Sequence, residues 1–578
     1  MNELLNLPVT QWLWSVDDKE TQALLARDLG VHPIVSQILM SRDIKDLDNA
    51  RKYLRPSLND LPNPFLMKDM EKGVQRVIKA IHDKESIVIY GDYDADGITA
   101  VVVLMKFLHD LTPHVSYYIP DRIDEGYGLN RSAIDKLKAN GVQLIITVDC
   151  GISDFAEVAY ARSCGVDTII LDHHEVPEVI PDADAVINPN RSDCRFPFKH
   201  LAGVGIAFNF LIALRGGLRQ NGFWTGRRYP NLKEYLDLVA LGTIGDISPL
   251  IDENRILTKI GLDLITEGKR VGLRALKEIC GIDNQVIDSS KASFNIIPRI
   301  NAAGRIGSPK EAVELLMTDH ATEAMDLAKK LDAYNRKRQS MEKAVLNEIL
   351  EEIKQTMDPA KKRSLVFASK NWHPGIIGIV ASRLADRFCR PAILISLKNG
   401  LGKGSGRSIA HFNIYQGLKQ CDSLLVSYGG HQYAAGISIK EEDIGEFSAL
   451  LDVIVEENME LDAMVTQTMI DAQCQLTDIN HDLLTQISML APFGSRNPEP
   501  VLCVKNVNIT GSNIVGNNHL RMRINGSGVS CNSIWFSKGN FIHSVNKATS
   551  DIAFTPQVNT WNGSSEIQLK MRDITIHS

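Results

Sequence analysis

The sequence predicts an α/β protein: a parallel-sheet domain joined by a long helix to a smaller α/β domain, followed by a C-terminal β-barrel. Three observations carry this reading. From Ser86 to about Pro189, short apolar runs alternate with helical ones, the pattern of a parallel sheet covered by helices on both faces. From Asp319 to Asp358 the chain holds no proline or glycine and repeats apolar residues at helical spacing. After about Ala463 it changes to short strand-like runs separated by Gly, Asn and Ser.

The chain has 578 residues, enough for three or four domains of about 150 residues each. Its net charge of −7 excludes a globally basic nucleic-acid binder, so any nucleic-acid contact must rest on local basic patches. Nine cysteines without a C-x-x-C pair fit reduced thiols rather than a disulfide framework or a zinc ribbon. No run approaches the ~18 apolar residues of a membrane span. The opening MNELLNLPVTQWLWSVDDKE lacks the basic and apolar regions of a secretory leader. The expectation is a cytoplasmic protein without membrane contact.

In chain order, residues 1–85 read as a mainly helical segment packing on the domain that follows, with proline turns between Arg55 and Pro64. Residues 86–318 form the parallel-sheet domain. Its strands are SIVIY, HVSYYIP (114–120), LIITVDCG (144–151), DTIILDHHE (167–175) and AVINP (185–189), with helices such as 130–141 and 153–165 between them. In such sheets ligands bind beyond the carboxyl ends of the strands. Chemistry-bearing residues fall there: Asp92, Asp94 and Asp96, then Asp149, then Asp172, His173 and His174.

Three carboxylates within five residues repel one another unless a cation lies between them. D-x-D-x-D-G also opens an EF-hand loop, but the position that needs a bidentate glutamate is Val103, and a strand rather than a helix precedes the motif. Asp149 alone reads as a turn or cap residue, and paired histidines as surface. Their convergence at strand ends instead suits manganese, magnesium or zinc. Asp246 follows an apolar helix containing Gly242 and Gly245; alone it is a capping residue, beside the others a candidate final ligand.

Residues 319–358 form the long connecting helix, ~55–60 Å at 1.5 Å per residue, with a solvated charged face. Residues 359–462 form the second α/β domain. Its GKGSGRS (402–408) reads either as a plain β-turn or as an oxyanion site using backbone amides, Ser405 and Arg407. Residues 463–578 carry some five short strands, as in an OB-fold. Arg521, Arg523, Trp535, Phe536, Lys538, Trp561 and Lys570 are its candidate single-strand contacts, each readable also as core or ordinary surface.

DYDADG (92–97), VDCG (148–151), LDHHE (171–175) and GTIGDI (242–247), in that order, resemble the DHH phosphoesterases, named for the triad seen here as Asp172-His173-His174. GGHQYAAG (429–436) resembles the associated DHHA1 domain. PRINAAGR (298–305), NRKRQ (335–339), WHPGIIGIVASRL (372–384) and the barrel are similar to the RecJ subgroup, bacterial single-strand-specific 5′→3′ DNA exonucleases.

The resemblance implies a site for two ions, Mn²⁺ or Mg²⁺, held by Asp94, Asp96, Asp149, His173, His174 and Asp246, with Asp172 supporting or ligating. The catalytic set it implies is Asp172, His173 and His174. Many relatives carry histidine where this chain has Tyr90. A phenol of pKa about 10 is a poor ligand, so either one ion is held by fewer protein groups or Asp92 takes that place.

It also implies a 5′-phosphate grip by Arg305, Ser405 and Arg407 with Arg122, and His431 reaching the substrate near the metals. Tyr127 would stack on a base or sit in the core. The implied reaction releases nucleotide 5′-monophosphates by two-metal-ion hydrolysis, in recombination and in mismatch and base-excision repair. The implied partners are single-stranded DNA, a single-strand-binding protein and a helicase supplying the strand, the chain itself being a monomer. Two other functions compete. One is another phosphodiesterase of the family, acting on oligoribonucleotides or cyclic dinucleotides, but such relatives generally lack the long helix and barrel. The other is a non-catalytic single-strand-binding scaffold, which loss of the metal ligands would mark; here all are present.

Overall fold

The computed structural model describes residues 10–15, 18–122, 124–356, 362–458, 466–545, 549–561 and 564–577. The expected boundaries near 358 and 462 lie outside these described residues. The chain divides into two compact units, one holding 62–248 and 260–464, the other the residues up to 61, 249–259 and 465 onward.

In the first unit, strand Ile87–Gly91 lies between Val115–Tyr118 and Leu144–Val148, and Asp167–Leu171 and Ala185–Ile187 follow, all parallel. Every residue of Ile87–Gly91 and Leu144–Val148 is buried, as a parallel sheet covered on both faces requires. The chain leaves Ile87–Gly91 for a neighbour on one side, then crosses to Leu144–Val148 on the other. That reversal opens a crevice between their carboxyl ends. Helix Ala95–His109 is apolar nearly all round because helices Gly203–Gln220 and Leu236–Gly245 both pack on it.

Helix Ala321–Thr356 runs for 36 residues. Its charged face is not simply solvated, contrary to expectation: Asp332, Asn335 and Glu342 are buried. Asp332 pairs with Arg299 at 2.8 Å and Arg336 at 2.7 Å, and Glu342 with Arg338 at 3.3 Å and Arg383 at 2.9 Å. The helix packs against both Ile297–Ile306 and Pro374–Phe388, and charges enclosed this way persist only when paired.

The second sheet of this unit has the order Leu425–Gly430, Ala434–Lys440, Leu401–Arg407, Ala392–Lys398, Leu365–Ser369, with only the last pair parallel. GKGSGRS is therefore strand, neither turn nor loop. Its glycines recur with period two. A Cβ on Gly402, Gly404 or Gly406 would meet Ile395, Ile437 or Ile414 at 2.5–2.6 Å. One face of the strand thus makes room for an isoleucine core, and alternation puts Lys403, Ser405 and Arg407 on the other.

In the second unit, strands Leu502–Val515, His519–Gly526, Val529–Trp535, Ser564–Ile576 and Thr549–Trp561 pair in that order, and the last closes onto the first as a five-stranded barrel. Helices Pro33–Met40 and Leu47–Leu54 share its core through Val35, Ile38, Leu39 and Ala50. The expectation that residues 1–85 pack on the parallel-sheet domain is corrected here for the described residues up to 61, since an apolar helix face does not encode which core it serves. The 3₁₀ turn Pro64–Leu66 and helix Met70–Asp83 lie against helix Gly203–Gln220, and Met70–Asp83 also against strand Ala185–Ile187. Strand Thr10–Trp14, not foreseen, pairs in parallel with Thr466–Ile470.

Of the barrel's candidate contacts, Arg521, Arg523 and Phe536 are exposed. Trp535 is buried and stacked on Phe541, Lys538 lies over the Trp535 ring at 5.7 Å, and Lys570 pairs with Glu499 at 2.9 Å. The Trp561 side chain lies outside the described residues. No described helix is long and apolar enough to cross a membrane.

Candidate active site

The crevice between Ile87–Gly91 and Leu144–Val148 gathers the strand-end carboxylates. Asp94 caps helix Ala95–His109, its Oδ1 accepting from the Asp96 and Gly97 amides at 2.9 and 3.2 Å. The Ala95 amide donates to Asn301 Oδ1 at 2.7 Å. Gly97 is required, because a Cβ there would lie 2.6–2.8 Å from the Asp92 backbone. Asp96 is buried and accepts from the Gly203 and Val204 amides at 2.6 and 2.9 Å, placing its charge at the start of helix Gly203–Gln220. Asp149 holds φ 59°, an uncommon conformation for a residue with a Cβ, and Gly203 leaves it room.

His173 places Nε2 3.1 Å from Asp149 and Nδ1 3.9 Å from Asp246. Three groups of donor atoms result, each within 4.8 Å: Asp149, His173, His174; Asp96, His173, Asp246; and Asp92, Asp94, Asp149. Asp149 and His173 each belong to two, so the groups adjoin.

Burial and the neighbouring Asp246 push the Asp96 carboxyl up to about 7. Burial raises Asp92 and Asp149 well above the carboxylate range, reinforced by Asp94 and Asp96 respectively. Burial works against a charged His173, but Asp246 and Asp96 hold it above its ordinary range. Asp92 Oδ1 is buried and has no hydrogen-bond partner among the described residues. Five carboxylates and two imidazoles in a buried crevice, one oxygen unpartnered, fit a divalent-cation site.

Asp172 differs from its neighbours. Its Oδ1 accepts from the His173 and His174 amides at 2.8 and 3.2 Å and from His174 Nδ1 at 2.8 Å, and its Oδ2 accepts from the Ile152 amide at 2.9 Å. Burial alone would raise it, but the hydrogen bond from His174 holds its carboxyl down to about 2. Burial would likewise lower His174, yet Asp172 lifts it to about 9. Asp172 belongs to none of the three groups, and its partner is His174.

Tyr90 is a core residue. Its hydroxyl donates to Gly128 O at 2.9 Å and accepts from Asn130 Nδ2 at 3.2 Å, and its ring stacks on Tyr118. Tyr127 donates to Asp149 O at 3.0 Å and lies 3.2 Å from His174 Nδ1, so it is neither buried core nor free.

A second cluster is cationic. Arg305, in the last turn of Ile297–Ile306, donates to Gly375 O at 3.1 Å. Arg407 donates to Ser405 Oγ at 3.1 Å, and Gly378 leaves space for both: a Cβ there would lie 2.8 Å from Ser405 Oγ and 3.1 Å from Arg407 Nη2. The Arg122 guanidinium stacks 4.8 Å over the Tyr93 ring. Burial and the Arg122 cation lower Arg305 to about 10 and also lower Arg407. No ion pair satisfies Arg122, Arg305 or Arg407 among the described residues. Three guanidinium groups close enough to lower one another, with Asp94 as the carboxylate that acts on Arg305, suit an anion.

His431 stands apart from the three donor groups, exposed, with Nδ1 3.1 Å from Glu175. Sequence reasoning missed Asn301 and Ser248, whose Oγ donates to Asp246 Oδ2 at 2.5 Å. Both sit inside or beside quoted motifs, but only contacts give them partners. It also missed Tyr93, whose carbonyl lies where a Cβ on Gly304 would come within 2.2 Å.

Three family models match the chain: the DHH family, N-terminal domain, over residues 86–243, the DHHA1 domain over 362–457 and the RecJ OB domain over 470–573. The chain is 36% identical over 571 residues to the single-stranded-DNA-specific exonuclease RecJ of Bacillus subtilis, covering 98% of this chain and 71% of that protein. It is 34% identical over 558 residues to the protein of the same name from Escherichia coli, covering 94% and 96%. Among solved structures, RecJ of Thermus thermophilus in complex with Mn²⁺ matches with a TM-score of 0.84 at 28% identity, covering 98% of this chain and 80% of that one.

Proposed function

The chain belongs to the RecJ family of single-stranded-DNA-specific exonucleases, and from that premise we propose that it degrades single-stranded DNA from the 5′ end to nucleotide 5′-monophosphates. Tyr93 carries this reading. Its neighbours Asp92 and Asp94 belong to the carboxylate cluster, its ring lies under Arg122, and its carbonyl abuts Gly304 beside Arg305. An anion cradle one residue from a metal-type site suits recognition of a terminal phosphate and cleavage of the next bond inward.

Mn²⁺ or Mg²⁺ would be held by Asp92, Asp94 and Asp149 and by Asp96, His173 and Asp246, with His174 beside Asp149. Bound there, the ions supply the Lewis acidity that phosphodiester hydrolysis needs at neutral pH. Arg122, Arg305, Ser405 and Arg407 grip the terminal phosphate, the planar guanidinium forks taking two oxygens at a time. Asp172 fixes His174 in one orientation, and His174 is the group placed to orient water or move a proton. His431, paired with Glu175 next to His174, reaches the substrate near the metals. We assign the protein to recombination and to mismatch and base-excision repair in the cytoplasm. There it acts as a monomer alongside a single-strand-binding protein and a helicase that supplies the strand.

The test offers single-stranded DNA labelled at either end, with Mn²⁺, Mg²⁺ or chelator. Label should leave the 5′ end first as mononucleotide, and chelator should stop it. Equal loss from both ends, or hydrolysis of dinucleotides alone, would refute the proposal.

A further inference from the structure

Residues 221–230, which follow helix Gly203–Gln220, read NGFWTGRRYP. Surface connections are ordinarily polar, yet this one carries three aromatic side chains and two arginines. They hold one another and the helix end in place. Phe223 and Trp224 meet edge to face with ring centroids 5.1 Å apart, and Trp224 and Tyr229 do so at 5.8 Å. Arg215 and Arg219 of the helix lie over the Tyr229 ring at 4.8 and 5.8 Å. Trp224 Nε1 donates to Arg215 O at 3.1 Å, and Arg215 Nη1 to Pro230 O at 2.9 Å. The loop is thus fixed, and it leaves Phe223 and Trp224 half-buried instead of closing them into the core.

Both rings line a cavity of about 350 Å³, at the small end of the range for small-molecule sites. Phe107, buried in the last turn of helix Ala95–His109, and Tyr235, just before helix Leu236–Gly245, add two more aromatic surfaces. Arg227 and Arg228 line it as well. The Arg227 guanidinium stacks 4.3 Å over the Phe223 ring and makes no ion pair among the described residues; Arg228 lies 3.9 Å from Glu234, both side chains being exposed. Glu234 and Asp110 supply acceptor oxygens. Burial and the Asp110 charge push the Tyr235 phenol up to about 12, so its hydroxyl stays a donor.

The cavity also gathers the far ends of the three helices that hold the carboxylate crevice. Helix Ala95–His109 begins at Asp94 and Asp96 and ends beside Phe107 and Asp110. Helix Gly203–Gln220 presents its first amides to Asp96 and ends just before Phe223. Helix Leu236–Gly245 starts after Tyr235 and delivers Asp246. The three pack on one another, and their lengths of 15, 18 and 10 residues put the cavity roughly 15–27 Å from the crevice. Aromatic faces stack on a base, guanidinium forks take a phosphate, and carboxylates accept from sugar hydroxyls or base amino groups. We propose that this cavity binds a nucleoside 5′-monophosphate and that the three helices report its occupancy to the carboxylate crevice. That ligand is of the class the reaction releases, so the site senses product. The sensing role rests on the exonuclease reading above, whereas the binding site does not.

The experiment titrates the full chain in chelator with deoxyadenosine 5′-monophosphate (dAMP) by calorimetry. Arg227→Ala should weaken Kd about 10-fold, the size of one lost charge-assisted hydrogen bond, with Tm unchanged because the side chain is exposed. Arg227→Lys should recover part of that loss, and Arg407→Ala should leave this binding intact. Deoxyribose 5-phosphate and inorganic phosphate should each bind about 10-fold or more weakly than dAMP, since neither has a base to stack. With Mn²⁺ and a labelled 5′-phosphorylated strand, added dAMP should slow the wild type about 5-fold in a way that more strand does not overcome. Arg227→Ala should keep the basal rate and escape that slowing. Absence of dAMP binding overturns the proposal, as does binding that survives Arg227→Ala or that is lost in Arg407→Ala, which would place it at the arginine cluster of the active site. Inorganic phosphate binding as tightly as dAMP overturns the assignment of a nucleotide. Equal slowing of wild type and Arg227→Ala overturns the coupling to the crevice. A wild-type chain that cuts no 5′-phosphorylated strand refutes the exonuclease reading, and the calorimetry still tests the cavity.

Discussion

Asp96→Asn separates the electrostatic cost of the carboxylate cluster from its function. In the folded, metal-free protein the Asp96 carboxyl is raised from its ordinary 3.8 to about 7 by burial and by Asp246. At 1.36 kcal/mol per tenfold change in acidity, that is about 4 kcal/mol. Between these values the folded chain binds more protons than the unfolded one, so stability falls as pH rises through the window from about 4 to about 7. Asparagine removes this penalty but carries a single acceptor oxygen where the carboxylate accepts from both the Gly203 and Val204 amides. Losing one of those bonds costs about 1–3 kcal/mol. The variant should therefore be about 1–3 kcal/mol more stable than wild type at pH 8 and less stable near pH 4.5. Thermal unfolding in chelator at both pH values measures this. Added Mn²⁺ should then raise the wild-type Tm at pH 8 by more than that of the variant, which should be inactive. Equal destabilisation at both pH values would refute the claim that Asp96 is held under electrostatic stress.

Three further outcomes follow from the contacts. Asp172→Asn should lower activity about 10- to 100-fold and shift its pH profile, because His174 loses the carboxylate that lifts it to about 9; that pair's stability, full between about 4 and 6.5, should fade as pH rises through about 9 in wild type only. Arg305→Ala and Arg407→Ala should each raise KM about 10-fold or more and blur 5′-end preference, with Mn²⁺ affinity by calorimetry unchanged. Tyr90→Phe should lose about 1 kcal/mol of stability, from its bond to Gly128 O, and keep its metal affinity; a lost metal site would show that the phenol does more than pack.

The carboxylate cluster was legible because its chemistry is dense and local. Three aspartates in five residues at a strand end have no folding reason, and strand-end geometry predicts where Asp149 and the 172–174 triad must meet them. Asp246, Ser405 and Arg407 were candidates from their glycine-rich surroundings, and the resemblance added Arg122, Arg305 and His431, which no local pattern singles out. Where the reading of GKGSGRS went wrong, the period-two glycines were in view, but an isoleucine core that needs the space is a fact of packing. The charged face of the long helix could not be read either, because Glu342 is buried and meets Arg383 of helix Pro374–Phe388, 41 positions away in the chain.

The sequence by itself determined the parallel sheet, the barrel strands and the residues able to hold a cation, since periodicity and residue type act over a few positions. Only the tertiary structure decided which core residues 10–61 join, that Asp172 hydrogen-bonds His174, and that Tyr93 links the carboxylate loop to the arginine cradle. Those outcomes depend on side chains far apart in the chain arriving within hydrogen-bond distance, and no local preference specifies such a meeting.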